Sequence, residues 1–261
     1  MSGAGRHTGF ALSHQGILRC YHSCMRSQKL HLYLTSAHAC GYLPGRLATN
    51  LVPDPRLQMD MAMYSQLIAL GYRRSGQHTY RPHCGRCQAC IACRVPVHAF
   101  APNRSQTRCL KRNHDLAIRI TAAHFSDELF ALYRRYINAR HADGDMVNPS
   151  PADYKNFLYC NWSDTWFAEI RLHGELVSVA VFDRVADGLS AVYSFFEPDM
   201  PKRSLGKFNI LTLIEHGRLL DLPYLYLGYL INGCNKMEYK KDYRPLQCLI
   251  DNHWVTRYAG R

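Results

Sequence analysis

The chain has 261 residues, enough for one large domain or two small ones with real cores, and its formal charge of +12 favours a polyanionic partner. No window approaches the roughly 18 consecutive apolar residues of a membrane span. The opening MSGAGRHTGFALSHQG lacks the apolar centre of a secretory signal, so a cytoplasmic protein with no membrane partner is expected. Eleven cysteines in that compartment are expected to be reduced, metal-bound or buried as small hydrophobes, and their odd number agrees with this.

Residues 1–25 are rich in Gly, Ser and His, show no periodicity, and are expected to be a disordered or spurious extension. Residues 26–122 make up a basic region that carries most of the cysteines. Within it the apolar spacing from Asp54 to Leu70 predicts a helix stopped by Gly71. Thr79-Tyr80 and Arg94–Phe100 read as extended segments. Between Gly71 and His114 there is no Asp or Glu, and Cys84, Cys87, Cys90 and Cys93 fall at three-residue steps. Ser105 is placed to cap a short basic helix ending at Arg112, and Asp115–Thr121 alternates as a strand.

Residues 123–261 read differently. Ser126 opens a helix to Arg140, a loop follows over 141–146, and Asp153–Tyr159 is a further short helix. Thr165–Leu172, Glu175–Arg184 and Leu189–Phe196 are β-rich runs joined by His173-Gly174 and Ala186-Asp187-Gly188, which predicts an antiparallel meander. A helix from Leu205 to about Leu220 follows Ser204. The very apolar strand Tyr224–Ile231 comes next, and a last strand lies near Gln247–Val255. That order predicts an α+β fold, with an acetyltransferase-like (GNAT-like) C-terminal core beside a smaller cysteine-containing N-terminal region.

Several motifs resemble, in order, those of the bacterial aspartate/glutamate leucyltransferases, relatives of the eukaryotic arginyl-tRNA–protein transferases. They include Cys40-Gly-Tyr42-Leu-Pro44, Gly71-Tyr-Arg73-Arg74-Ser75-Gly76, and Tyr80-Arg81-Pro82-His83-Cys84. Arg94-Val-Pro96, Leu110-Lys111-Arg112-Asn113, Tyr193-Ser194-Phe195 and Ser204-Leu205-Gly206 continue the series. The most specific is Cys234-Asn-Lys236-Met-Glu-Tyr239-Lys240-Lys-Asp-Tyr243-Arg244-Pro245. The resemblance spans roughly Leu30 to Trp254. It implies an aminoacyltransferase that moves leucine from leucyl-tRNA to the N-terminal Asp or Glu of a protein, tagging it for N-end rule degradation. Eukaryotic relatives carry a second cysteine where this chain has Leu43, so their ligand pattern does not carry over intact.

An aminoacyl ester is already activated, so the transfer requires no cofactor in principle. The site must align amine and ester, exclude water and stabilise an oxyanion. It must also recognise an acidic side chain, for which guanidinium or ammonium groups are suited. Arg73, Arg74, Arg81, Lys236 and Arg244 are the candidates for the acidic N-terminus, and Tyr239 and Lys240 for catalysis. Arg104, Arg108, Lys111 and Arg112 share one short helix and can present a basic face to tRNA. Cys40 with Cys84, Cys87 and Cys90 could hold zinc or an iron–sulfur cluster, with reduced structural thiols the simpler reading. Two alternatives stand beside leucyl transfer: arginyl transfer, and a non-catalytic RNA-binding iron–sulfur or redox protein. A coenzyme A-dependent acetyltransferase is disfavoured because Lys202-Arg203-Ser204-Leu205-Gly206-Lys207 has a single glycine where a pyrophosphate would need a run of close backbone amides.

Overall fold

Four short strands open the described chain, which in this computed structural model comprises residues 30–140 and 147–259. The expectations for residues 1–25 and for the loop at 141–146 lie outside these residues. The first strands are β1 (Leu32–Leu34), β2 (His38–Ala39), β3 (Leu47–Ala48) and β4 (Asn50–Pro53). Helix α1 (Met61–Ala69) begins later than its apolar pattern predicts. Asp60 caps it by accepting the Met63 N–H at 2.8 Å, while Asp54 is held by Arg56 in a turn. Strands β5 (Arg73–Ser75) and β6 (His78–Pro82) form a hairpin, and a four-stranded sheet runs β1-β4-β6-β5.

Strand β7 (Ile91–Pro96) then joins a different sheet. Helix α2 (Arg104–Arg112) is capped by Asn103 rather than Ser105, through a reciprocal box with Gln106. After β8 (Leu116–Ala122) come α3 (Asp127–Arg140) and α4 (Pro151–Leu158). The meander follows as expected in β9 (Asp164–Leu172), β10 (Glu175–Val185) and β11 (Gly188–Phe196), then α5 (Leu205–Leu219) and β12 (Tyr224–Leu230). A one-turn helix α6 (Asn235–Glu238) precedes not one final strand but two, β13 (Leu246–Ile250) and β14 (His253–Tyr258). Asp251 and Asn252 turn between them, both at positive φ, a conformation these side chains tolerate.

The eight-stranded sheet runs β14-β13-β7-β12-β11-β10-β9-β8. It is therefore an α+β fold whose main sheet takes strands from both sides of position 122. Helix α5 packs on one face with Phe182, Ile170 and Leu225, and α3 and α4 cover the other with Phe167, Val181 and Phe195. Strand β10 is apolar on both faces, sending Ala180 and Phe182 to the α5 side and Val179 and Val181 to the α3 side, with a bulge between Leu176 and Ser178 against β9. Each large side chain buried this way contributes about 1.5–3 kcal/mol. Cys109, Cys234 and Cys248 are buried as expected, and Cys160 only in part.

One pair of neighbours in this sheet is parallel. Strands β11 and β12 meet over only three positions, Gly188↔Tyr224, Leu189↔Leu225 and Ser190↔Tyr226, and then part. Gly188 is required there, since a Cβ would lie 2.3 Å from the Tyr224 carbonyl oxygen. Past the last pair, β12 bulges against β7 between Tyr226 and Gly228. The gap this opens is where the candidate site lies.

Candidate functional site

Arg73 fills the gap between the diverging strands. Its Nη1 donates to Ser190 Oγ at 2.9 Å and its Nη2 to the Ala191 carbonyl, where β11 leaves the paired segment. From the other side it packs on Gly228 of β12. A Cβ at that position would stand 3.1 Å from Arg73 Nε, and the backbone φ of +79° is one that glycine adopts without strain. Arg73 is 8% exposed.

Lys240 approaches the same place from the turn after α6. It is 4% exposed, and its ammonium donates to the Tyr229 carbonyl and lies 3.0 Å from Met237 Sδ. Burial, together with the nearby Arg73 charge, brings it down to about 8, against an opposing pull from the Cys93 thiol. Tyr229 is fixed in turn, its hydroxyl donating to the Gly71 carbonyl at 2.9 Å, with its ring 6.3 Å from that of Tyr80. Burial raises the tyrosines Tyr42, Tyr80 and Tyr229 around it and pushes the Cys90 and Cys93 thiols up to about 12, so all five are neutral at pH 7. Tyr239 stands beside Lys240, which lies 5.5 Å from its ring, and remains 44% exposed. Among the described residues, no carboxylate lies within ion-pairing distance of Arg73 or Lys240. Two buried cations thus share a site with no anion among the described residues to balance them.

The other residues proposed for the acidic N-terminus are placed differently. Arg74 points the opposite way along β5 and is fully buried in a two-pronged pair with Asp183, Nε to Oδ2 and Nη2 to Oδ1 both 2.7 Å. Tyr64 and Thr165 hydroxyls, each at 2.7 Å, complete the Asp183 carboxylate. Arg74 Nη1 also donates to the Gly76 and Leu158 carbonyls, so every side-chain nitrogen of Arg74 is engaged within the protein, unlike those of Arg73. Arg81 ties down the turn at Gly71, donating to the Leu70 carbonyl at 3.0 Å beside the Tyr72 ring. Lys236 and Arg244 are exposed on either side of the Tyr239–Lys240 turn, Arg244 with its Nε 3.3 Å from the Lys241 carbonyl.

Helix α2 turns Gln106 and Cys109 inward and leaves Arg104, Arg108, Lys111 and Arg112 exposed. The Arg112 guanidinium also donates to the Lys202 carbonyl, and Lys207 Nζ donates to Ser105 Oγ at 2.8 Å, which fastens α2 to the start of α5. Gln106 Nε2 donates to the Asp242 carbonyl at 3.1 Å. The basic helix is thereby bonded directly to the turn that carries Tyr239 and Lys240.

Cys84 and Cys87 face each other across a tight turn, with the Cys87 N–H 3.2 Å from the Cys84 carbonyl. A hydrogen bond from the Ala89 N–H, with Arg46 Nη1 at 3.3 Å, holds the Cys87 thiol below its usual value. Cys40 Sγ accepts the Leu43 N–H at 3.4 Å. Among the described residues no three His, Cys, Asp or Glu side chains are arranged to hold a metal ion. The fold nevertheless brings the four thiols near one another, since Cys40, Cys84 and Cys87 all add to the upward push on Cys90. Cys93 is a core residue of β7, opposite Cys248 and Gly228.

Sequence reasoning did not single out Ser190, and it named Gly228 and Tyr229 only within the motif Tyr226-Leu-Gly228-Tyr229-Leu-Ile231, Tyr229 also as one of several aromatics that could line a leucyl pocket. The isolated glycine inside the apolar run Tyr224–Leu230 was the available signal, because glycine within a strand marks a bulge or a close approach. No helix among the described residues is long and apolar enough to cross a membrane.

Known proteins match most of the chain. The model of the N terminus of arginine-tRNA-protein transferase matches residues 38–108, and that of its C terminus matches residues 128–250. An aspartate/glutamate leucyltransferase from Pseudomonas putida is 50% identical over 228 residues, covering 87% of this chain and 97% of its own. One from Teredinibacter turnerae is 51% identical over 229 residues, covering 87% of this chain and 94% of its own. Among solved structures, L-PGS from Bacillus licheniformis is only distantly alike, with 14% identity and a TM-score of 0.44 over 67% of this chain and 50% of that one. The two halves of the site, Arg73 from the N-terminal match and Lys240 from the C-terminal one, thus fall within one continuous likeness, and the chain belongs to the arginine-tRNA-protein transferase family, among its aspartate/glutamate leucyltransferases.

Proposed function

We propose that this enzyme transfers leucine from leucyl-tRNA to the N-terminal α-amine of proteins that begin with Asp or Glu, marking them for degradation. The observation that carries the reading is the pair of buried cations Arg73 and Lys240 with no carboxylate of the described residues beside them. A buried charge without a partner is costly, and an acidic side chain entering the gap between β11 and β12 would balance it. Arg81, Lys236 and Arg244 lie around this point and add positive potential, while Arg74 supports the hairpin that carries Arg73.

In the reaction the neutral α-amine attacks the ester carbonyl. Collapse of the tetrahedral intermediate forms the amide and expels the ribose oxygen of the tRNA, and the amine proton leaves with that oxygen or to water. A free α-amine has a pKa of about 7.7–8.0, so much of it is already neutral near pH 8. The residues then have two tasks: Arg73 and Lys240 fix the acidic side chain, and Tyr239 at the mouth faces the incoming ester with its hydroxyl available to the developing oxyanion. A leucyl rather than an arginyl donor is supported by the aspartate/glutamate leucyltransferases that match most of this chain.

The exposed basic face of α2 supports a role for Arg104, Arg108, Lys111 and Arg112 on tRNA phosphates. An antiparallel run from β8 to β11, then α5, then a strand parallel to β11 over three positions supports an acetyltransferase-like reading of the core. The cysteines around Lys240 are assigned a structural part, and the reaction as written uses no cofactor. The direct test supplies labelled leucyl-tRNA or arginyl-tRNA with peptides starting in Asp, Glu or Lys. Label from leucyl-tRNA on the two acidic peptides alone is expected. Equal labelling of the Lys peptide would refute the role of the cation pair.

A further inference from the structure

Helix α2 holds one polar side chain that takes no part in the mechanism above. Gln106 lies in sequence between the exposed Arg104 and Arg108, yet it is only 1% exposed. Its amide is divided between two elements. Oε1 accepts the Asn103 N–H at 2.8 Å and closes the first turn of α2, while Nε2 donates to the Asp242 carbonyl at 3.1 Å. These partners fix which way the amide faces, since a backbone N–H only donates and a carbonyl only accepts. Asp242 is the last residue of the short helical turn Tyr239–Asp242, which contains Lys240. Directly after it comes Tyr243, 2% exposed, whose ring stacks 6.2 Å from that of Phe100 in the segment leading into α2.

We propose that Gln106 is a positioning residue for the transfer, fixing the basic helix in register with the turn that carries Tyr239 and Lys240. The proposal rests on the transfer reading above and names what brings its two substrates together. In that reading the ester arrives with the tRNA on α2, and the amine is held by Arg73 and Lys240. Different elements therefore hold the two reactants, whose reacting atoms must come within about 3–3.5 Å. A shift of about 1 Å far from the chemistry costs on the order of a hundredfold in rate. The Phe100–Tyr243 stack keeps the two elements in contact but has no strong preference for one lateral position. The Gln106 hydrogen bond supplies the direction, because it weakens steeply away from its axis. A buried amide engaged at both ends also resists sliding, since any other arrangement would leave a buried polar group without its partner.

The test compares the full chain with Gln106→Glu and Gln106→Met. The Glu carboxylate still accepts the Asn103 N–H, so the helix start is kept and only the donor to Asp242 is lost. For Gln106→Glu, tRNA affinity by gel shift and Asp-start peptide affinity by anisotropy, each measured alone, should stay within about twofold. The single-turnover rate with both substrates saturating should fall roughly ten- to a hundredfold in both variants at pH about 8. Acidification protonates the introduced Glu and restores a donor. The deficit of Gln106→Glu, taken as a ratio to the unaltered chain at each pH, should therefore shrink towards pH about 6, while that of Gln106→Met stays constant. Amide hydrogen exchange at residues 239–243 should quicken in both variants. An unchanged single-turnover rate in Gln106→Met overturns the role. A deficit in Gln106→Glu that is matched by lost tRNA or peptide affinity, or that does not respond to pH, overturns it too. No transfer by the unaltered chain, with the expected exchange pattern in the variants, would instead refute the proposed reaction and leave the link between α2 and the Lys240 turn standing.

Discussion

Arg73 and Lys240 come from distant parts of the chain and meet where two strands separate, which makes their charges testable one at a time. Replacing Arg73 by Met should raise KM for an Asp-start peptide by roughly ten- to a hundredfold, the equivalent of about 1.5–3 kcal/mol for a charge-assisted hydrogen bond, with little change in tRNA affinity. Lys240 adds a pH signature. Its ammonium titrates near about 8 in the folded protein, so KM for the acidic peptide should rise as pH passes above 8. A Lys240→Met variant should have a high KM without that alkaline rise, which a pH series of peptide titrations would show. Stability should move in the opposite sense. Between about 8 and the ordinary lysine value of 10.5 the unfolded chain binds the additional proton, so the contribution of Lys240 to stability increases with pH across that window. Arg74 differs in kind from its neighbour. Arg74→Met would leave Asp183 buried and unpaired, at a cost of about 3–5 kcal/mol, and should lower Tm sharply, whereas the Arg74→Met, Asp183→Leu double variant should recover much of the loss.

At the level of elements, α2 bears the clearest expectation. Changing Arg104, Arg108 or Lys111 to Glu should weaken tRNA binding and reduce its log–log salt slope by about 0.7–0.9 for each phosphate no longer neutralised, with peptide KM unchanged. Gel-shift titrations over a salt series would measure it, and an unaltered slope would make the helix mere solvated surface. Much of this element was legible in the sequence, because apolar spacing and charge placement determine which side of a helix turns inward. The meander from Asp164 to Phe196 was legible for the same reason, its turns being marked by His173-Gly174 and Asp187-Gly188. The cap of α2 was misplaced by two residues since Ser105 and Asn103 are both good caps and only tertiary geometry chooses between them. Arg73 and Arg74 could not be told apart either. Adjacent residues in a strand face opposite ways, and which of them meets a carboxylate depends on β10, far along the chain. The cysteine spacing pointed to a cluster of thiols, and the fold does bring Cys40 towards Cys84, Cys87 and Cys90, a long-range approach that spacing alone does not show.

Across the whole molecule, the eight-stranded sheet joins parts of the chain that are far apart in sequence. Removing residues 246–258 should leave one edge of β7 bare and give an aggregated or dye-binding product instead of a folded enzyme without its tail, which solubility and fluorescent-dye binding would report. The position of β7 also sets an order of events during synthesis. This strand leaves the ribosome well before β12 and β13, the two strands that flank it, have been translated. For that interval Cys93 and Val95, each no more than 1% exposed in the finished protein, have no sheet to enter. Translation at about 5–20 residues per second makes the wait several seconds long. The nascent chain must therefore carry a sticky, unpartnered β-segment flanked by arginines, and the same density of positive charge that suits a finished enzyme to tRNA would keep these half-made chains apart from one another.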